Sequence, residues 1–303
     1  MSEHPVMELL EQRKSGQEDA SKLALVVEGG MMRGVITGAM VAQLETMGYG
    51  PDLFDLVVGT SAGAVNASYY IAKQAVQGVR VYPDYLGSKG FVDRLGWIKK
   101  RPIVNLSILM DDIMEHEVPL KWDSVVTAHK LYMTTSDPFT AGTRVLEPSR
   151  TAQELKEGLR ASCHVPLLAG KPIEIDGVPL YDGGLTAPLP IKEALDLGAT
   201  HVLALSGRHL ANWRSKQTVV ERFVSRFYDL KYPGIDKAIR SGVETANSRR
   251  LLLQNHRSGS DEEPYIFLVD PSHNSDISQL EKDTSKIEAA LLLGQQAVET
   301  LLS

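Results

Sequence analysis

The 303 residues include one cysteine, Cys163, so no disulfide can form within the chain. Clustered Cys or His residues of the kind that bind zinc are also missing, and neither a metal nor a cofactor is expected. The longest apolar runs, such as Leu23–Val27 and Val202–Leu205, fall far below the ~18 residues needed to cross a bilayer. No apolar stretch follows a basic amino terminus as in a secretory signal. A protein of the cytoplasm is therefore expected. Aromatic residues are sparse at 6%, but the hydrophobic share of 43% can fill a core, which excludes disorder, collagen and coiled coil.

The formal net charge is −6, and no nucleic-acid partner is expected. The charge is unevenly spread: residues 80–101 carry +4 and residues 207–257 carry +7. Aromatics are interleaved with the cations in both stretches, as Arg94, Trp97, Lys99, Lys100 and Arg101, and as Trp213, Arg214, Lys216, Arg222, Phe223, Arg226, Phe227 and Tyr228. Two readings stand side by side: solvated helix faces, or a peripheral contact with an anionic membrane surface.

Periodicity gives an alternation of strands and helices. Residues 1–21 are polar and without sustained period, and are read as a flexible arm, loose or partly helical. Leu23–Val27 is a short apolar run ending in Gly29-Gly30, suited to a strand buried on both faces. A helix follows from Arg33 to Met47. The unit repeats as a strand Phe54–Val58, a sharp turn over Gly59–Gly63 and a helix from Ala64 to Gln77. Such repetition implies a central, mostly parallel sheet with crossovers. Residues 80–120 are irregular and read as a lid. Lys130–Thr135 and Thr143–Leu146 form a strand pair, and Thr151 with Glu154 makes a capping box for a helix reaching Ala161. Ile173–Ile175 and Pro179–Tyr181 flank Asp176-Gly177, a hairpin signal. A helix Ile191–Leu197 and a strand His201–Leu205 come next. Helices at 213–229 and 234–256, a strand Tyr265–Val269 and a helix from Asp283 to Leu302 make up a largely helical carboxy-terminal part, 207–303. Without a repeat or a linker, residues 22–303 read as one domain.

Gly59-Thr60-Ser61-Ala62-Gly63 matches the nucleophile elbow, a serine on a tight strand-to-helix turn. Glu28-Gly29-Gly30-Met31-Met32-Arg33-Gly34 also links a strand to a helix. It does not fit a dinucleotide fingerprint, because Met31 stands at the second required glycine. Its consecutive backbone N–H groups suit an oxyanion instead, with Gly29, Gly30 and Met31 as donors. Asp182, at a strand end before Gly183-Gly184, is a candidate base, since a buried carboxylate gains basicity near neutral pH. An α/β-hydrolase triad would pair Asp182 with His201, His209, His256 or His273. That fold builds much of its sheet before the serine, however, and here only one strand precedes it.

Taken in this order, Glu-Gly-Gly-Met-Met-Arg-Gly at 28–34, Gly-Thr-Ser-Ala-Gly at 59–63 and Asp-Gly-Gly at 182–184 resemble the patatin-like phospholipase family. Arg160-Ala161-Ser162 before Pro166 adds to the resemblance, which covers about 23–206. It implies a three-layer α/β/α fold with a mostly parallel sheet, and hydrolysis of lipid or fatty-acyl esters through an acyl-enzyme. It also implies a Ser61–Asp182 dyad without histidine and an oxyanion hole from the glycine loop. Arg33, Gly34, Gly59, Gly63, Gly183 and Gly184 carry over as motif support. Met31 replaces the family's third glycine: the N–H survives, but a positive φ is costly there for Met. Two alternatives stay open, an acyltransferase using the same serine and a catalytically weakened lipid-binding or scaffold protein.

Overall fold

Strand β1 (Leu23–Val27) consists of five consecutive apolar residues because water reaches neither of its faces. It is paired in parallel on one edge with β2 (Leu56–Thr60) and on the other with β7 (His201–Leu205). Alternation divides its side chains. Leu23, Leu25 and Val27 enter one core with Val35, Ile36 and Met40 of helix α2 (Gly34–Thr46). Ala24 and Val26 enter the other with Ile191 and Ala194 of helix α7 (Ile191–Asp196). Burial on both faces is the usual state of a parallel strand covered by helices.

This computed structural model describes residues 4–210 and 263–302, except positions 89, 94, 96, 97, 99, 100 and 167, and also 234, 236, 237 and 240. The cations and aromatics of 213–228, His256, most of the basic residues near 94–100, and the helices expected over 213–229 and most of 234–256 lie outside the described residues.

Parallel pairing extends from β2 to β3 (Leu131–Asp137) and from β7 to β8 (Tyr265–Val269). At the β3 edge the sheet turns antiparallel with β4 (Gly142–Leu146), β5 (Ile173–Ile175) and β6 (Val178–Asp182). The fold is a three-layer α/β/α arrangement with a mostly parallel sheet of eight strands. Helices α2, α3 (Ala62–Ile71), α6 (Ala152–Ser162) and α8 (Thr284–Leu302) lie on the larger core, and α7 lies on the smaller one.

Local chemistry accounts for the element ends. Thr151 Oγ1 accepts the Glu154 N–H at 3.1 Å and Glu154 returns to the Arg150 N–H at 2.8 Å, so the cap closes one residue earlier than a strict box. In the β5–β6 hairpin both turn residues are left-handed, Asp176 at φ 53° and Gly177 at φ 75°; Asp-Gly favours this conformation.

Two expectations need correction. The segment 1–21 is helical in part, as α1 (Pro5–Lys14), but it is not a flexible arm there: Val6 and Leu10 are fully buried. Arg13 ties its end down through the Leu53 carbonyl and Asp55. The helix read from Ala64 to Gln77 is two helices, α3 and α4 (Ala75–Val79), separated at Lys73, whose φ of 56° ends α3. The stretch 80–120, read as a lid, mixes buried and exposed residues among those described. Its wide-turned helices Tyr82–Leu86 and Ile108–Glu117 bury Tyr82, Leu86, Leu109, Met110, Ile113 and Met114 in the main core.

Candidate active site

The sheet register brings two distant residues together. Thr134 of β3 has Thr60 on one edge and Val145 on the other, whereas the next residue, Thr135, has Arg144 and Asp182. Strand β6 therefore takes the edge of β3 that β2 leaves when it ends at Thr60. The chain of β2 turns away at Ser61, and β6 arrives from the opposite direction and ends at Asp182. Ser61 Oγ donates to Asp182 Oδ2 at 2.6 Å.

Ser61 stands between β2 and α3 with φ 54° and ψ −125°, a conformation that costs a non-glycine residue about 1–3 kcal/mol. Its surroundings fix it there. The Ser61 N–H donates to Ser162 Oγ at 2.9 Å, and Ser162 Oγ donates to the Thr134 carbonyl at 2.8 Å. Gly63 must lack a side chain, because a Cβ there would stand 2.3 Å from the Val27 carbonyl oxygen of β1. Thr60 holds the end of β2 by sharing a hydrogen bond with Thr134 at 2.6 Å and donating to the Ala187 carbonyl at 2.8 Å.

Asp182 is held as closely. Its N–H donates to the His164 carbonyl, its carbonyl accepts from Ser136 Oγ, and its Oδ1 accepts the Gly184 N–H at 2.6 Å. At Gly183 a Cβ would fall 2.4 Å from the Thr134 carbonyl oxygen, so the turn after Asp182 presses directly on β3. Burial pushes the Asp182 carboxyl up to about 6, against the opposing pull of the Ser61 and Gly184 hydrogen bonds. A buried carboxylate 2.6 Å from a serine hydroxyl, with its acidity moved toward neutrality, is fitted to take a proton.

The glycine loop after β1 lies against this pair. Of the three donors expected there, Gly29 is corrected: its N–H already donates to the Pro188 carbonyl at 3.1 Å and is not available to a ligand. Among the described residues, neither the Gly30 nor the Met31 N–H has an acceptor. Met31 adopts φ 52° and opens a short 3-10 turn, Met31–Arg33, before α2. Arg33 packs its guanidinium over Gly30, and Gly34 lets α2 pass close to Ala62 and Tyr82. Gly59 plays the same part beneath α3. The first N–H groups of α3 also lack intrahelical partners, as at any helix start.

Beside Ser61 opens a narrow pocket enclosing about 500 Å³ of empty space, mouth included. Met31, Val81, Leu86, Phe91, Leu109 and Val165 are among its walls, and among the described residues no charged side chain lines it. Cys163 lines it next to Ser61, and burial raises its thiol pKa strongly, which keeps it protonated.

The described candidate histidines have partners away from the pair. His201 sits at the start of β7 with Nδ1 on Thr200, His209 bonds the Pro271 carbonyl and pairs with Asp270, and His273 is exposed on Ser272. The nearest in sequence to the site, His164, turns its ring to the Gly170 carbonyl, and burial lowers its pKa to about 4. Sequence reasoning passed over Thr60, Thr134 and Ser136, whose only signal is being polar in strands that are otherwise buried. Among the described residues no group of three or more His, Cys, Asp or Glu side chains could hold a metal ion. No described helix is long and apolar enough to cross a membrane.

Fold and site together define an α/β protein with a buried serine–aspartate pair at a strand-to-helix elbow. The profile of the patatin-like phospholipase family matches residues 25–195, more than half of the chain, and the protein belongs to that family. It is 28% identical over 188 residues to the uncharacterised protein YjjU of Escherichia coli (strain K12), a match covering 61% of this chain and 51% of YjjU. The match thus spans about half the length of that relative. Among solved structures, VipD from Legionella pneumophila aligns over 94% of this chain and 67% of its own, at 12% identity and a TM-score of 0.49.

Proposed function

We propose that the protein is a serine-dependent lipid acyl hydrolase, a carboxylic ester hydrolase working through Ser61 and Asp182. The observation that carries this reading is the 2.6 Å hydrogen bond between them, buried at the head of an apolar pocket. Asp182 takes the hydroxyl proton as Ser61 Oγ bonds to the ester carbonyl carbon. Negative charge passes to the carbonyl oxygen, where the Gly30 and Met31 N–H groups and the start of α3 are the open donors. The tetrahedral species collapses to an acyl-serine, and the departing alcohol carries off the proton held by Asp182. Water then attacks the acyl-serine with Asp182 again as base. The carboxylate product leaves and Ser61 regains its proton.

The lipid character of the substrate rests on family membership and on the pocket, whose walls suit a hydrocarbon chain and offer nothing to a charged one. We also propose that the protein works in the cytoplasm and docks peripherally on an anionic membrane surface. Leu95 and Ile98 are 57% and 61% exposed, four and seven residues beyond the pocket residue Phe91 and interspersed with Arg94, Lys99 and Lys100 in sequence. Labelling with a fluorophosphonate probe tests the catalytic reading: wild type is labelled and hydrolyses esters, whereas Ser61→Ala does neither. Retention of hydrolysis in Ser61→Ala, or loss of it on replacing a single histidine, overturns the dyad. Absence of labelling in the wild type favours a lipid-binding protein without turnover. Transfer to an added alcohol in preference to water identifies an acyltransferase.

A further inference from the structure

Two non-glycine residues beside the pocket hold left-handed backbone, Ser61 at φ 54° and Met31 at φ 52°. The conformation at Ser61 presents a hydroxyl to Asp182. At Met31 no such account follows from the backbone, since a glycine there would offer the same N–H without the penalty. A strained side chain that persists calls for a use of the side chain itself. The Met31 side chain is half-buried and packs on the main core, and Met31 lines the pocket together with Ser61, Ala62, Val65 and Cys163. An unbranched thioether with three rotatable bonds fills irregular apolar space well.

We propose that Met31 is a specificity-determining residue: its side chain takes up the part of the apolar pocket next to Ser61 and sets an upper limit on acyl-chain length, so that short acyl chains are preferred to long ones. This inference rests on the acyl-hydrolase reading above and deepens it. The pocket is narrow, and its walls also include Val81, Leu86 and Phe91, residues packed into the same core and so unable to yield much space. Removing atoms at position 31 is therefore the cheapest way to lengthen the space open to a substrate.

The test measures kcat/KM for p-nitrophenyl butyrate, octanoate and dodecanoate on wild type, Met31→Gly, Met31→Ala, Met31→Leu and Met31→Phe, with fluorophosphonate labelling of Ser61 in each. The ratio of dodecanoate to butyrate is expected to rise about tenfold or more in Met31→Ala and further in Met31→Gly, in keeping with the discrimination that a few methylenes supply. It should stay within about twofold of wild type in Met31→Leu and fall in Met31→Phe. The Ala, Leu and Phe variants all keep a Cβ and hence the same backbone penalty, so a trend among them reports side-chain volume alone. If Met31→Gly does not fold, these three still decide the matter. Equal chain-length profiles in variants that label normally overturn the role of Met31 and leave the hydrolase reading intact. A wild type that does not label brings down the hydrolase reading, and the inference with it.

Discussion

The turns that follow β1 and β2 start from adjacent parallel strands and lead into helices of similar character, yet they present different parts of the chain. After β2 the turn is a single residue: Ser61 has its side chain on Asp182 and its N–H on Ser162, so only the hydroxyl is offered. After β1 the turn is longer, and what it leaves open is backbone, the N–H groups of Gly30 and Met31. Sharp turns expose side chains, and wide glycine-rich ones expose peptides. A nucleophile and an oxyanion site need these two things respectively.

The strongest test of this contrast is to remove the offered side chain. Ser61→Ala is expected to lower ester hydrolysis by about 10⁴-fold or more while leaving the far-UV circular dichroism unchanged. Asp182→Asn follows, with an expected loss of about 10³-fold, because the amide can hold Ser61 but cannot take its proton.

The same aspartate predicts opposite pH responses for activity and stability. Activity needs the carboxylate and should fall about tenfold per unit as pH drops below about 6. For stability, the folded pKa of about 6 lies above the usual 3.8. The folded state therefore keeps a proton that the unfolded chain releases. Stability from this group is full below about pH 4 and is lost as pH rises through about 6, to the extent of roughly 2–3 kcal/mol. Denaturant unfolding of wild type and Asp182→Asn at pH 4 and pH 7 checks the sign: the variant should lack this decline.

Gly63→Ala probes how closely the two turns interlock. With a Cβ 2.3 Å from the Val27 carbonyl oxygen it should cost several degrees in Tm or prevent folding. The smallest effect is expected from Ser162→Ala. It strips the Ser61 N–H of its acceptor at a cost of about 1–3 kcal/mol, read as a lower Tm with a reduced kcat and little change in KM.

How much of the site could be read in sequence depended on distance along the chain. Ser61 stands out because strand, turn and helix are contiguous, and Gly59 and Gly63 declare the tight turn around it. Asp182 is marked by Gly183-Gly184, but nothing local places it beside a residue 121 positions earlier; the register of β3 does that. Thr134 carries no local mark, and the motifs that contain Thr60 and Ser162 do not show what their hydroxyls hold, since a serine or threonine looks alike whether it caps a helix or holds an elbow. At Gly29 the motif suggested an open donor, and the Pro188 carbonyl, brought in from 159 residues away, had closed it.

The sequence by itself determined the alternation of strands and helices, the buried central strands and the two glycine turns, because these follow from side-chain period and backbone sterics within a few residues. It likewise determined that no disulfide can form within the chain. Only the tertiary structure decided which carboxylate meets the serine, which N–H groups stay open and how far burial moves Asp182, since hydrogen-bond partners and desolvation are set by what packs from elsewhere in the chain. It also brought Val81, Leu86, Phe91 and Leu109 of the irregular stretch 80–120 into the pocket wall and put Met31 beside Ser61 in the same lining.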